Sequence, residues 1–286
     1  DSSASSPDES DPDQEPEGSA SSADRTGSPS AKRASVPSWD EILFGSSLLA
    51  RVRTRRRIGE RKGMAAARRR GGSSASQAVV AEIEAAGGEA MAHGANVADF
   101  DQVQDMVAKT MERWGRIDIL INNAGILRDK SFGKGSLEDF KLVLDVHLMG
   151  SVNCTKAVWD IMREQNYGRV VVTTSSSGLY GNFGQTNYGS AKMGVIGMMN
   201  TLAQEGAKNN VRVNALAPTA GTRMTEGLIP EKAFDLMTPE TVTPAVLYLV
   251  SKDAPTRTIL AAGAGGYAVA KIMETDGIYL DDADQT

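Results

Sequence analysis

The chain has 286 residues, 41% of them hydrophobic, and a formal net charge of -5 at pH 7, which suits one α/β domain with a sizeable core and a tail. This charge argues against a general nucleic-acid binder. The single cysteine, Cys154, excludes an internal disulfide and a cysteine-cluster metal site, and no apolar run reaches membrane-spanning length. We therefore expect a soluble protein without a metal, nucleic-acid or membrane partner.

The amino-terminal quarter divides into two segments of contrasting charge. Residues 1–38 are mainly Ser, Asp, Glu and Pro, a composition that cannot offset the entropy lost on ordering, so we expect a disordered acidic tail. Residues 39–72 are irregular and strongly basic from Arg51 to Arg70. A basic arm for nucleic acid, an anionic membrane or an import receptor is one interpretation, but interleaved aromatic residues are missing. Because the chain begins with Asp1 rather than methionine, we also expect sequence before it.

Residues 73–286 form the third predicted segment, in which strands and helices alternate. In chain order we predict a helix over 76–86, a strand over 90–92, a helix over 99–114, a strand over 117–121, a long helix over 137–165, a strand over 169–174, a helix carrying Tyr188, a strand over 211–216, a substrate loop over 223–236, a helix over 238–249 and a strand over 258–262. The short β-branched run over 169–174 is typical of a buried parallel strand.

Three residues near the centre of this segment suit hydride transfer to or from a carbonyl. Ser175 follows a strand, while Tyr188 and Lys192 stand at positions i and i+4 of a helix and so share one face. We expect the Lys192 ammonium to favour the phenolate form of Tyr188, whose ordinary pKa is about 10. Tyr188 would exchange a proton with a substrate oxygen to which Ser175 donates a hydrogen bond. Each residue alone is more often structural than catalytic.

The combination with two further motifs is more specific. Asn122-Asn123-Ala124-Gly125 lies upstream, and Asn214-Ala215-Leu216-Ala217-Pro218 lies downstream. With these motifs, residues 74–280 resemble the short-chain dehydrogenase/reductase family. The resemblance implies a Rossmann-like doubly wound parallel sheet, Ser175, Tyr188 and Lys192 as catalytic residues, NAD or NADP as cofactor, and a homodimer or homotetramer.

Three runs resemble one branch of that family, the (3R)-hydroxyacyl-CoA dehydrogenases: residues 122–132, residues 178–188 and Arg223-Met224-Thr225. This resemblance implies an acyl thioester substrate and favours NAD, with an NADPH-dependent 3-oxoacyl thioester reductase as the nearest rival. His147 stands where the wider family usually has asparagine, and the branch also carries histidine there. His147 is therefore a candidate proton relay, although a histidine buried for structural reasons is the alternative.

The resemblance also assigns residues to the cofactor. Asn96 and Val97 match positions near adenine, and Asn96 stands where the family usually has aspartate. The other matching positions are Asn123, Ala124 and Gly125 under the nicotinamide ribose, Tyr188 and Lys192 beside it, and Pro218 and Thr222 near the nicotinamide amide.

The family's first strand-helix-strand unit and its Thr-Gly-x-x-x-Gly-x-Gly turn should precede these elements, but residues 39–72 lack that pattern. Such a turn lets backbone N–H groups approach a pyrophosphate. Its loss should split the sheet, unless residues 41–44 form a replacement strand, or it should leave this half poorly ordered. A catalytically inactive relative unable to bind cofactor is therefore the alternative function. Peroxisomal and cytoplasmic locations both stay open, since no targeting signal such as a terminal Ser-Lys-Leu is recognisable.

Overall fold

The computed structural model describes residues 47–51, 72–221 and 236–279. The predicted acidic tail, the alternative strand over 41–44 and all but the last residue of the predicted substrate loop over 223–236 lie outside these residues. The strands are β1 (Ser47–Arg51), β2 (Glu89–His93), β3 (Ile119–Asn122), β4 (Gly168–Thr173), β5 (Val211–Thr219), β6 (Ile259–Gly263) and β7 (Gly266–Ala270). The helices are α1 (Gly72–Ala85), α2 (Phe100–Trp114), α3 (Leu137–Leu144), α4 (Gly150–Glu164), α5 (Ser176–Tyr180), α6 (Thr186–Glu205) and α7 (Thr243–Val250).

The main sheet has five strands in the order β3-β4-β5-β6-β7. The first four are parallel, with Ile121 opposite Val171 and Leu216 opposite Leu260, and β7 runs antiparallel to β6. Parallel strands joined by helices place their carboxyl ends at one edge, where ligands of this class of fold bind. The predicted Rossmann-like α/β fold is confirmed for this part of the chain.

Apolar side chains cover both faces of the main sheet. Val170 and Val172 of β4 belong to a large buried cluster that contains residues of α2, α4 and α6. Val171, between them, points to the opposite face and packs in a second cluster with Leu249 of α7. All six residues of β4 are buried, which agrees with the continuous apolar run that predicted a central parallel strand.

The remaining two strands form a separate antiparallel pair, with Leu49 opposite Met91. No described strand pairs with the outer edge of β3. Ile119 is 40% exposed and Ile121 is 43% exposed, so one face of β3 also lies open, whereas Leu120 is buried. Strand β2, predicted as a strand of the main sheet, pairs with β1 among the described residues.

The helix predicted over 137–165 is interrupted. Its middle, Asp145–Met149, forms a π-helical turn between α3 and α4 and contains His147. A π-helical turn accommodates one extra residue and occurs often at functional sites. Hydrophobic spacing did not reveal this turn because the apolar positions on either side keep helical periodicity.

Strand β7 was not predicted from the sequence. Ala264 and Gly265, which connect β6 to β7, both have positive φ, at 49° and 78°. This conformation is the one that a two-residue hairpin turn requires, and glycine adopts it at little cost. The Gly263-Ala264-Gly265-Gly266 run between two apolar segments was the available signal for a hairpin.

Candidate active site

Ser175 is held at the carboxyl end of β4 by its role as a helix cap. It immediately precedes α5, and its Oγ accepts a hydrogen bond of 3.2 Å from the backbone N–H of Ser177. Such a cap satisfies one of the free N–H groups at a helix start. The cap therefore fixes the Ser175 hydroxyl at the edge where the strands end.

Tyr188 and Lys192 lie one turn apart on α6, as their spacing predicted. Lys192 is buried, and its Nζ donates a hydrogen bond of 2.7 Å to the carbonyl of Thr173 at the end of β4. The Thr174 hydroxyl donates to the Lys192 carbonyl, also at 2.7 Å. These two bonds join α6 to the end of β4 and bring Ser175, Tyr188 and Lys192 together.

Burial controls the ionisation of Tyr188. It raises the pKa of the Tyr188 phenol, a hydrogen bond with Ser175 lowers it, and the Asp129 carboxylate raises it further. The Lys192 Nζ lies 5.5 Å from the centre of the Tyr188 ring. Desolvation is the dominant influence, and the expected stabilisation of the phenolate by Lys192 stays a prediction. Tyr188 is therefore set up to carry its proton.

The Lys192 ammonium is destabilised by its own burial, which lowers its pKa from 10.5 to about 7. Its Nζ has three N–H bonds in the charged form, and Thr173 accepts one of them. The remaining N–H bonds are available to hydroxyl groups of a bound ligand. A ribose would satisfy this requirement.

We expect this burial to make folding stability depend on pH. The unfolded chain binds a proton at Lys192 up to about pH 10.5, whereas the folded chain releases it near pH 7. The destabilisation is therefore fully present below pH 7 and fades as the pH rises towards 10.5. Relative to Lys192→Met, the parent should gain about 2 kcal/mol of unfolding free energy between about pH 7 and pH 9. Urea unfolding of both proteins measures this, and parallel pH profiles would contradict it.

His147 is buried between the turn after β3 and the tyrosine helix. Its Nε2 lies 3.0 Å from the backbone nitrogen and 2.8 Å from the backbone oxygen of Ile126, so the bond formed depends on the tautomer. Its ring meets the Tyr188 ring edge-on, with centroids 5.1 Å apart. Burial, followed by the charge of Lys192, lowers the pKa of His147 to about 3, so the imidazole is neutral at physiological pH. Its Nδ1 is buried without a partner.

The turn after β3 lies directly against His147. A Cβ atom on Gly125 would stand 2.3 Å from Cε1 of His147, which only glycine avoids. The side chain of Asn123 accepts a hydrogen bond of 3.2 Å from the Thr173 hydroxyl, and this bond links the turn to β4. Ala124 packs against the core. The predicted residues of this turn therefore lie beside His147 and the end of β4.

The turn predicted to meet adenine is anchored although its strand lies outside the main sheet. Val97 is buried, and its side chain would touch any Cβ added to Gly150 of α4. Its carbonyl accepts a hydrogen bond of 2.9 Å from Asn153. The side chain of Asn96 is occupied within its own turn, where it accepts from the backbone N–H of Ala98.

The third predicted cofactor segment is described only in part. Pro218 lies near the end of β5 opposite Ala262 of β6, at the same edge of the sheet as Ser175. Thr222 lies outside the described residues. The position of Pro218 at this edge agrees with its assignment beside a nicotinamide.

Two polar residues beside the site were given no role from the sequence. Gln185, just before α6, donates a hydrogen bond of 2.7 Å to the carboxylate of Asp129 in the loop after β3. Both residues lie within the runs that carried the branch resemblance, but their contact joins positions 56 residues apart. A pattern read along the chain contains no signal for such a pair.

The described residues fit one half of a nicotinamide nucleotide better than the other. Near Tyr188, Lys192 has N–H donors beyond the one that Thr173 accepts, and the buried Nδ1 of His147 has no partner, so both could bind the nicotinamide end. For the pyrophosphate, the sequence lacks the glycine turn, and no described strand joins the edge of β3 where that turn would begin. Among the described residues, no cluster of His, Cys, Asp or Glu could hold a metal, and no helix is both long and apolar enough to cross a bilayer.

The serine, tyrosine and lysine from which the sequence predicted a short-chain dehydrogenase/reductase lie together at the carboxyl edge of the parallel sheet, where ligands of such folds bind. Comparison with known proteins agrees, since residues 60–233 match the short chain dehydrogenase family. A crystal structure of a short chain dehydrogenase from Mycobacterium avium superposes with a TM-score of 0.65 at 40% identity and covers 74% of each chain. The chain belongs to the short-chain dehydrogenase/reductase family.

Two relatives bear on the chemistry. The 3-oxoacyl-[acyl-carrier-protein] reductase of Synechocystis is 44% identical over 189 residues, which cover 64% of this chain and 76% of the reductase. The peroxisomal multifunctional enzyme type 2 of Mus musculus is 51% identical over 181 residues, which cover 62% of this chain and 24% of that enzyme. The chain spans less than half the length of the peroxisomal multifunctional relatives that it matches.

Proposed function

We propose that the chain transfers a hydride between a nicotinamide cofactor and a (3R)-hydroxyacyl or 3-oxoacyl thioester. The observation that carries this proposal is the grouping of Ser175, Tyr188 and Lys192 at the end of β4. Tyr188 exchanges a proton with the substrate oxygen, and Ser175 donates a hydrogen bond to the same oxygen. Lys192 binds ribose hydroxyls beside Tyr188. The nicotinamide supplies or accepts the hydride.

His147 has a supporting role in this proposal. Its imidazole is neutral, its ring contacts the Tyr188 ring edge-on, and its buried Nδ1 has no hydrogen-bond partner. A neutral imidazole can accept a proton at one nitrogen and release one from the other. His147 therefore relays protons through water between the site and solvent.

The substrate class rests on the relatives and on the branch resemblance. One relative is named as a 3-oxoacyl-[acyl-carrier-protein] reductase, and the branch resemblance is to hydroxyacyl-CoA dehydrogenases, so an acyl thioester is common to the proposal and its rival. The branch resemblance favours NAD and the hydroxyacyl substrate, whereas the rival is an NADPH-dependent reductase.

The proposed cofactor contacts are completed by Asn96, Val97, Asn123, Ala124, Gly125, Pro218 and Thr222. We propose a homodimer or homotetramer, located in peroxisomes or cytoplasm.

A second candidate function follows from the missing glycine turn. The lack of this turn in the sequence, together with the lack of a described strand beside β3, favours a catalytically inactive family member that binds no nicotinamide cofactor. In that case Ser175, Tyr188 and Lys192 keep their arrangement without catalysing a reaction. The two candidates differ in a single measurable property, which is cofactor binding.

Fluorescence titration of the purified chain with NADH and with NADPH separates the candidates. We expect NADH to bind with a dissociation constant on the order of micromolar and more tightly than NADPH. Oxidation of (3R)- but not (3S)-3-hydroxyacyl-CoA with NAD then tests the substrate. Tighter binding of NADPH with activity on 3-oxoacyl thioesters would favour the reductase. Absence of binding by a chain that circular dichroism shows to be folded would establish the inactive alternative.

A further inference from the structure

Two hydrogen bonds join the loop after β3 to the segment that leads into α6. The backbone N–H of Lys130, in the loop after β3, donates a hydrogen bond of 2.9 Å to the carbonyl of Gly184. The side chain of Asn187 donates one of 3.0 Å to the carbonyl of Arg128. The loop before α6 is therefore fixed against the loop after β3 on both sides of Asp129.

The side-chain amide of Gln185 lies at the centre of this junction. Gln185 is 8% exposed, and its oxygen accepts hydrogen bonds from the Ser177 hydroxyl at 2.7 Å and from the Asn182 amide at 3.0 Å. Its nitrogen donates to Asp129 at 2.7 Å. Only this orientation of the amide suits the contacts, because the reverse orientation would set its oxygen against a carboxylate. Asp129 therefore orients Gln185, and Gln185 orients Ser177.

These hydrogen bonds extend to the Ser175 hydroxyl and to the first turn of the helix that carries Tyr188. The backbone N–H of Ser177 is the donor that fixes Ser175 Oγ. The carbonyl of Gln185 accepts a hydrogen bond of 2.7 Å from the N–H of Gly189, next to Tyr188 in the first turn of α6. A displacement of the Gln185 side chain would therefore be transmitted to Ser175 and to the start of the helix that carries Tyr188.

Asp129 also contributes a charge to this region. The charged and titratable groups facing Tyr188 are Lys192 on its own helix, His147 from the π-helical turn and Asp129 from the loop after β3. Arg128 and Lys130, which flank Asp129, form ion pairs of 3.6 Å with Asp139 instead. With His147 neutral, Asp129 is the negative charge acting on Tyr188, and a nearby negative charge disfavours a phenolate.

We propose that Asp129 and Gln185 are a positioning pair, in which the Asp129 carboxylate orients the Gln185 amide and Gln185 aligns Ser175 and Tyr188. This inference rests on the proposed function, since it gives Tyr188 a proton-transfer role.

Direct titration of Tyr188 tests the pair without requiring turnover. The ultraviolet absorbance of phenolate is followed from neutral pH upwards in each variant, and the same variant carrying Tyr188→Phe is subtracted. Asp129→Asn keeps an oxygen that Gln185 can donate to but removes the charge. We expect it to lower the pKa of Tyr188, because a negative charge that disfavours the phenolate is removed. The shift should shrink in high salt.

Asp160→Asn is the control, since it removes a surface carboxylate on α4 that pairs with Arg163. It should leave the pKa of Tyr188 unchanged. Asp129→Glu, which keeps the charge, should titrate like the parent. Equal shifts in Asp129→Asn and Asp160→Asn, or no shift in either, would overturn the proposal. Gln185→Met, which removes the amide that orients Ser177, must raise the pKa of Tyr188, because a misaligned Ser175 no longer lowers it, and an unchanged pKa overturns the proposal.

Kinetics in the active chain supply a second readout. Gln185→Met should lower kcat about tenfold with little change in KM, and Asp129→Asn should move the alkaline limb of carbonyl reduction to lower pH. If the parent has no activity at all, the proposed function fails, while the titration still decides whether Asp129 acts on Tyr188. The two failures are therefore distinguishable.

Discussion

Replacing Tyr188 with phenylalanine is expected to lower kcat/KM for hydride transfer by about a thousandfold. The phenol is the group at the site that carries a transferable proton, because His147 is buried and neutral and Ser175 is a hydrogen-bond donor. Removing the hydroxyl leaves the ring in its edge-on contact with His147 and should leave the fold intact. Initial rates with an acyl thioester, together with thermal unfolding, measure both effects.

Two further variants serve as comparisons for Tyr188→Phe. Tyr248→Phe removes the hydroxyl of a half-exposed tyrosine on α7 and should leave the rate unchanged. Ser175→Ala removes the second hydroxyl at the site and should cost about a hundredfold, as expected for one donor to the reacting oxygen. A Tyr188→Phe protein that keeps more than about a tenth of the parental rate would exclude the proton-transfer role assigned to Tyr188.

The second large effect is expected at Arg169, which is buried in β4 with 1% of its surface exposed. Its guanidinium donates to the carbonyls of Ser251, Lys252, Asn210 and Gly168 at 2.7 to 3.0 Å. It also stacks over the Tyr167 ring at 4.2 Å. Arg169 therefore joins the start of β4 to the segment after α7 and to the turn before β5.

Arg169→Met should lower the free energy of unfolding by about 3 to 5 kcal/mol, because it removes a donor from four carbonyl groups at once. Arg169→Lys should recover part of this loss, since an ammonium keeps the charge but cannot reach all four carbonyls. Arg116→Met is the matched control, because Arg116 pairs with Asp118 on the surface and should contribute less than about 1 kcal/mol. Urea unfolding measures all three. A loss at Arg169→Met no larger than at Arg116→Met would contradict this account.

The positions of Ser175, Tyr188 and Lys192 could be predicted from the sequence because their geometry is local. Tyr188 and Lys192 lie one helical turn apart, and Ser175 follows a β-branched run, so elementary spacing placed them on a helix face and a strand end. The alternating elements likewise predicted the parallel part of the sheet. Local periodicity is sufficient for such features.

Other features depend on contacts between distant residues and could not be predicted in this way. The raised pKa of Tyr188 follows mainly from burial by surrounding elements. The contact of Gln185 with Asp129 joins two loops through tertiary structure. The pairing of β1 with β2 was also not predicted, because residues 47–51 carried no alternating pattern that distinguished them from their neighbours.

Because of the π-helical turn at Asp145–Met149, the position of the His147 side chain depends on the number of residues in this turn. Each residue of an α-helix advances the helix by about 100°, so deleting one residue from this turn would restore regular geometry and rotate the following side chains by that angle. His147 would then no longer lie between Ile126 and Tyr188. In a homologue that has a histidine at this position but one residue fewer before α4, the histidine side chain would point in a different direction. Insertions and deletions here therefore carry as much information about the site as substitutions do.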